Sequence, residues 1–327
     1  MSAANARRDD RTPVVLVCRR LLPAGRDRLA ARCEVREGGL DAAPEELLAL
    51  ATGVDAIVAD PTVAVDEELL GAAGQGLRVI ANFAVGYDNI DVDACRSRGV
   101  AVTNTPGVLT NATAELTLAL TLAASRRVSE AERDLRAGRW RGWDPGDLLG
   151  LELSGATFGI VGMGRIGWRY AALVAPLAGA ILYTSRSRKP DAERELPASQ
   201  VSMDELLTES DVVSLHVPAA PATVGLIGAA QLEAMRPHAV LVNTARGSLV
   251  DADALAGALR GGVIGAAGLD VYENEPDVPR SLLEAPRCVL LPHIGSATTR
   301  ARNAMASLVA DNVLAALDGE EPPNRVA

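Results

Sequence analysis

Phe158-Gly-Ile-Val-Gly-Met-Gly-Arg-Ile-Gly-Trp168 is the stretch on which the fold of this chain turns. Gly162, Gly164 and Gly167 stand at G-x-G-x-x-G spacing, after a short apolar run and ahead of a helix-like pattern. A strand that enters such a turn offers backbone N–H groups and a helix N-terminus to a pyrophosphate. The three glycines serve a tight turn, close approach of phosphate, and close helix–strand packing. Glycine-rich turns are common, so the spacing alone is weak. The strand–turn–helix context is what makes it a dinucleotide signal, with Arg165 and Ile166 opening the helix.

Outward from that turn, the chain alternates strand-like and helix-like runs on both sides. Upstream, Val14–Cys18, Asp55–Ala59, Arg78–Phe83 and Val100–Thr103 read as buried strands, with helices over Pro44–Ala51 and Asp66–Ala73. Asn111–Val128 reads as a long apolar helix with Asn111 as its cap. Six strands are predicted downstream: Phe158–Val161, Ala180–Thr184, Asp211–Val217, Val240–Asn243, Gly265–Leu269 and Cys288–Leu291. Ala301–Leu317 reads as a final helix. Strands alternating with helices imply parallel sheets covered on both faces. The fold class is therefore α/β, with two Rossmann-like or flavodoxin-like domains. The fingerprint lies in mid-chain, so the nucleotide domain (residues 105–296) is expected as an insertion into a substrate domain (residues 1–104 and 297–327).

Bulk properties narrow the partners. The 327 residues carry a formal net charge of −10 and are 48% hydrophobic but only 3% aromatic, so the core must be aliphatic. A net acidic chain argues against nucleic acid or an anionic membrane as partner. Cys18, Cys33, Cys95 and Cys288 show neither C-x-x-C nor metal-ligand spacing. They are expected to be reduced, with no metal site. Residues 3–12 have a disordered composition, and Met1–Pro13 lacks the apolar centre of a signal peptide. A cytoplasmic location is expected.

In open α/β sheets ligands collect beyond the carboxyl ends of the strands. There the second series places the glycines, then Ser185-Arg-Ser-Arg-Lys189, His216-Val-Pro218, Thr244-Ala-Arg246, Asp270 with Glu275, and Pro292-His293. These residue types suit hydride transfer to a 2-keto acid. Arginine grips a carboxylate with two parallel hydrogen bonds. Histidine can protonate a carbonyl oxygen as negative charge develops on it. A carboxylate beside the imidazole favours its charged form and fixes its orientation. Glu275 is the candidate partner of His293. An NAD-binding sheet usually ends its second strand in an acid that bonds the ribose 2′-hydroxyl. Here that position reads Thr184-Ser-Arg-Ser-Arg188, without an acid. Ser185 and Arg186 suit a 2′-phosphate, with Arg188 in support, so NADP(H) is favoured and NAD(H) is the alternative.

At this point the chain resembles the D-isomer-specific 2-hydroxyacid dehydrogenases, in their glyoxylate and hydroxypyruvate reductase branch. The resemblance rests on Asn82–Asp91, Thr103–Thr110, Gly159–Gly167, Leu241–Gly247, Gly268–Val271 with Glu275-Pro276, and Pro292–Ser296. It implies that Arg246 grips the substrate, that His293 is the acid/base, and that Glu275 is its partner. It further implies that Val85, Gly86 and Ser296 contact substrate and that Asp270 lies near the carboxamide of the nicotinamide. Thr110, His216, Val217, Pro218, Thr223, Thr244 and Ala245 are implied to line the cofactor site. Family members usually pair as homodimers through the long helix and the loop after it. Trp143 is therefore a candidate for packing at such an interface or for reaching the partner's pocket. Asp60-Pro61-Thr62 falls where the substrate side chain is expected, and Asp60 there would disfavour an acidic tail. Alternatives within the class are another D-2-hydroxyacid dehydrogenase or a phosphonate dehydrogenase. Outside it stands a non-catalytic, NAD(H)-sensing corepressor-like protein.

Overall fold

The computed structural model describes residues 11–327; most of the stretch read as disordered in composition, residues 3–10, lies outside them. The chain divides into two compact units, Met1–Val108 with Thr299–Ala327, and Leu109–Thr298. The crossings fall four and two residues beyond the boundaries read from the sequence.

The first unit is built on a parallel sheet of β1 (Val14–Val17), β2 (Glu34–Glu37), β3 (Ala56–Ala59), β4 (Val79–Asn82) and β5 (Ala101–Thr103). Their order is β2-β1-β3-β4-β5, the flavodoxin-like arrangement. Helices return the chain between parallel strands and cover both faces, so the inner strands are apolar throughout. Leu16, Ile57, Ile80 and Val102 face one layer of core. The alternate residues Val15, Val17, Ala56, Val58 and Val79 face the other, packed under Ala306, Val309, Ala310 and Val313 of the Thr299–Asp318 helix. That helix approaches so closely that a Cβ on Gly25 would lie 2.2 Å from the Ala306 carbonyl oxygen. The last residues then run antiparallel along β5: Val102 N–H donates to Ala327 O (3.0 Å) and Val326 N–H to Val102 O (2.8 Å).

The second unit carries β6 (Ala156–Val161), β7 (Ala178–Thr184), β8 (Ala198–Gln200), β9 (Val212–Leu215), β10 (Val240–Asn243), β11 (Ala266–Leu269) and β12 (Cys288–Leu290). The order β12-β11-β10-β9-β6-β7-β8 reverses direction between β6 and β9. That reversal is the topological switch point at which dinucleotides bind. The sequence reading missed two strands. In β2, Glu34-Val-Arg-Glu37 is an edge strand with exposed ends, and polar edges lack the apolar signature. In β8, only Ala198 of three residues is buried, at the other sheet's edge.

The long helix also differs from the expectation. It spans Thr110–Ser125, with Leu109 at the N-cap and no side-chain cap, so Asn111 lies inside its first turn. Arg126 caps its end, and the next residue, Arg127, has a left-handed backbone (φ 54°) and a guanidinium that pairs with Glu130. A separate helix, Val128–Arg136, follows with no buried residue. Among the described residues, no helix is long and apolar enough to cross a membrane.

Candidate active site

In the second unit the strand ends gather the expected residues on one rim. After β6, Gly162 has φ 102°, and a Cβ there would lie 2.8 Å from the His216 backbone. A Cβ on Gly167 would lie 2.1 Å from the Gly162 carbonyl oxygen, so the Arg165–Val174 helix can seat on the turn only with glycine there. Gly164, the N-cap of that helix, faces open space, and no side chain caps the helix. The first-turn N–H groups that begin at Arg165 and Ile166 thus point at room for a pyrophosphate, and the residues present fit a dinucleotide.

Beyond β7, the turn is internally tied. Ser185 Oγ donates to Ser187 O (2.5 Å), Gln200 Nε2 donates to Ser185 O (2.9 Å), and Arg186 is exposed. Arg188 is engaged elsewhere, on Glu193 (2.7 Å). Following β9, the His216 ring lies 5.4 Å from that of Tyr170 and its Nε2 meets Ser214 Oγ at 3.2 Å. Burial pushes its pKa down to about 3, so the ring is neutral. Thr223 Oγ1 donates to Pro218 O (2.8 Å) and accepts from Ala220 N–H (2.9 Å), which fixes the loop carrying Val217 and Pro218.

After β10, Thr244 Oγ1 meets Thr117 Oγ1 of the long helix at 2.8 Å. Thr110 opens that same helix. Ala245 N–H donates to Asn243 Oδ1 (3.0 Å), and Asn243 Nδ2 donates to Arg246 O (2.8 Å). Arg246 Nη1 donates to Ala245 O (2.8 Å). The next residue must be small: a Cβ on Gly247 would sit 1.9 Å from the Tyr272 carbonyl carbon. The arginine loop and the glutamate loop therefore abut backbone to backbone.

His293 Nδ1 meets Glu275 Oε2 at 2.5 Å. Glu275 Oε1 accepts from Tyr272 N–H (2.9 Å). Burial works to raise the Glu275 carboxyl. The His293 hydrogen bond and charge, the Tyr272 N–H and Arg246 outweigh it and hold the group below the usual carboxylate range. Asp270 is fully buried, and its two oxygens accept from Ile294 N–H and Gly295 N–H, both at 2.7 Å. His293 N–H donates to Asp270 O (2.9 Å). Burial raises the Asp270 carboxyl against those hydrogen bonds and the charge of His293. Asp270 thus braces the segment that carries His293 and Ser296.

Val85 and Gly86 belong to the first unit, in the loop after β4. Their carbonyls are pinned by buried amides: Asn104 Nδ2 donates to Val85 O (2.7 Å) and Asn82 Nδ2 to Gly86 O (2.8 Å). Asn89 extends the clamp, accepting from Asn82 and donating to Asp60 O and Val63 O. These asparagines were missed as site residues. Their signal is a polar residue ending an apolar strand, as in Val79-Ile-Ala-Asn82 and Ala101-Val-Thr-Asn104. The Asp60 carboxylate accepts from Thr62 N–H and Oγ1 within its own loop. Cys18, Cys33, Cys95 and Cys288 are free thiols, with burial pushing Cys18 and Cys288 up to about 12.

Known proteins resemble this chain along most of its length. Residues 118–295 match the family model described as D-isomer specific 2-hydroxyacid dehydrogenase, NAD binding domain. The chain is 50% identical over 277 residues to a glyoxylate reductase of Thermococcus litoralis, covering 84% of this chain and 83% of that one. A glyoxylate reductase of Thermococcus onnurineus is 45% identical, with 96% of both chains covered. The crystal structure of an NADPH-dependent glyoxylate/hydroxypyruvate reductase of Sinorhizobium meliloti, in complex with NADP and malonate, superposes with a TM-score of 0.85. It is 35% identical, with 97% of both chains covered.

Proposed function

The chain belongs to the D-isomer-specific 2-hydroxyacid dehydrogenase family, and on that footing we propose that it reduces glyoxylate or hydroxypyruvate to the 2-hydroxy acid, with NADPH as the preferred cofactor. The observation that carries the chemistry is the His293–Glu275 pair, 2.5 Å apart on a rim shared with Arg246 and the glycine turn. Arg246 holds the substrate carboxylate. The nicotinamide, when bound, supplies the hydride. His293 Nε2, the ring nitrogen not engaged by Glu275, gives a proton to the carbonyl oxygen as charge builds on it. Glu275 accepts from Nδ1–H, which sets the tautomer and the ring's orientation. Reduction needs His293 protonated and oxidation needs it neutral, so the two directions respond oppositely to pH.

The cofactor preference rests on the turn after β7, where Ser185 and Arg186 stand and no acid ends the strand. The curated relatives named glyoxylate reductase and the Sinorhizobium meliloti complex support the substrate and cofactor readings. We further propose a homodimer, formed through the long helix and the Val128–Arg136 helix with the loop after it.

The test is NADPH and NADH consumption by the purified protein with glyoxylate, hydroxypyruvate, pyruvate and 2-ketoisocaproate. Fast turnover of the two small substrates with NADPH is expected, and a preference for 2-ketoisocaproate would overturn the substrate reading. In a Ser185→Asp/Arg186→Ala variant the preference should move toward NADH, and an unchanged ratio would remove both residues from the cofactor site.

A further inference from the structure

The turn that is read for the 2′-phosphate holds a carboxylate close behind it. Glu193 lies in the short Pro190–Glu195 helix, directly beyond the Ser185–Lys189 turn. Its side chain is only 17% exposed, against 72% for Arg188. Arg188 Nε reaches both carboxylate oxygens, at 2.8 and 3.1 Å, and Nη2 reaches Oε2 at 2.7 Å. The buried Tyr183, near the end of β7, donates through its hydroxyl to Glu193 Oε1 (2.8 Å). The same hydroxyl accepts from Lys189 N–H (2.8 Å), so both ends of the turn are tied to one carboxylate. Arg188, with its Tyr183 companion, holds the Glu193 carboxyl below the usual range, so it is ionised at neutral pH.

A bare carboxylate at this place would repel a phosphate and favour the 2′-hydroxyl, as the acid of NAD-binding sheets does. With the guanidinium forked across it, the pair is neutral and the turn keeps the positive charge of Arg186 and Lys189. We propose that Arg188 sets NADP(H) selectivity indirectly, by neutralising Glu193, and that Glu193 is a masked discriminator against the 2′-phosphate. This rests on the reading that Ser185 and Arg186 face that phosphate. Arg188 is thereby a positioning and charge-masking residue rather than a phosphate ligand.

The test is a double-mutant cycle read on the KM for NADPH, with NADH measured in parallel. Arg188→Ala should raise the NADPH KM by about tenfold and leave the NADH KM and kcat nearly unchanged. Glu193→Gln alone should leave the NADPH KM at or below the wild-type value. The Arg188→Ala/Glu193→Gln variant should return to within about threefold of wild type, because no carboxylate remains to unmask. An equal loss in the single and double variants would mean that Arg188 binds the phosphate itself, and would overturn the proposal. So would an Arg188→Ala variant with an unchanged NADPH KM. Arg188 is exposed, so its removal leaves the core intact; a thermal unfolding midpoint within a few degrees of wild type checks this. The wild-type NADPH/NADH ratio tests the underlying cofactor reading separately, and the cycle returns its answer whichever cofactor is preferred.

Discussion

His293 has a left-handed backbone, φ 50°, which a histidine adopts at a cost. Three hydrogen bonds to Asp270 hold it and its neighbours in that conformation, and Glu275 fixes the ring. The strain thus sits at the one residue proposed to move a proton. His293→Ala should lower kcat by about 10²–10⁴-fold while NADPH affinity, followed by fluorescence titration, stays close to wild type. Near-wild-type turnover would remove His293 from the mechanism. His216 makes a separate, acid-side prediction. Its folded pKa of about 3 lies below its ordinary 6.5, so between these values the unfolded chain binds a proton that the native protein does not. Stability must therefore fall as pH drops through that window. In urea unfolding at pH 7 and pH 5, His216→Phe should lose about 2 kcal/mol less than wild type on acidification. Equal losses would show that the ring titrates normally.

At the level of elements, the site is a set of strand ends locked to one another by backbone contact. At Gly247, where an added Cβ would sit 1.9 Å from the Tyr272 carbonyl carbon, this is sharp. Gly247→Ala must push the Arg246 loop off the Tyr272–Glu275 loop, at a cost of about 2–3 kcal/mol. Its kcat should fall along with its stability in urea, although Arg246 and Glu275 are both retained. A silent Gly247→Ala would mean that the two loops move independently. Such contacts explain what could be read in advance. Arg246, Glu275 and His293 stand at strand ends that apolar runs such as Val240–Asn243 mark plainly, and the glycine turn announces itself by spacing. The asparagine clamp on Val85 and Gly86 escaped because side chain-to-carbonyl bonds leave no periodic trace. Edge strands β2 and β8 escaped because a polar or three-residue strand carries no apolar run. Arg188 was placed toward the phosphate because its pairing with Glu193 is a tertiary fact, set by where Tyr183 puts the following helix.

At the scale of the whole molecule, five of the eight large apolar side chains that are at least half exposed among the described residues fall in one stretch of chain. Val128, Leu135, Trp140, Trp143 and Leu149 are all at least half exposed, with Trp143 at 85%. Exposed apolar side chains close in sequence are the kind of surface the proposed homodimer would cover. Sedimentation should find twice the mass of one chain, and Trp143→Glu combined with Leu135→Glu should shift it to that of one chain. A monomeric wild type would overturn the proposed homodimer.

The Thr299–Asp318 helix has a consequence for biosynthesis. Residues 109–298 form a contiguous unit whose strands all emerge from the ribosome before that helix does. The first unit begins earlier yet finishes later, because Ala306, Val309, Ala310 and Val313 seal one face of its sheet and Val326 and Ala327 close the edge of β5. During synthesis the inserted unit can therefore reach its native state while the earlier-made sheet still shows bare aliphatic surface and an open edge, the state most prone to aggregation. The order of translation and the order of completion are reversed in this chain: the sheet begun first keeps one face bare until the Thr299–Asp318 helix has been made.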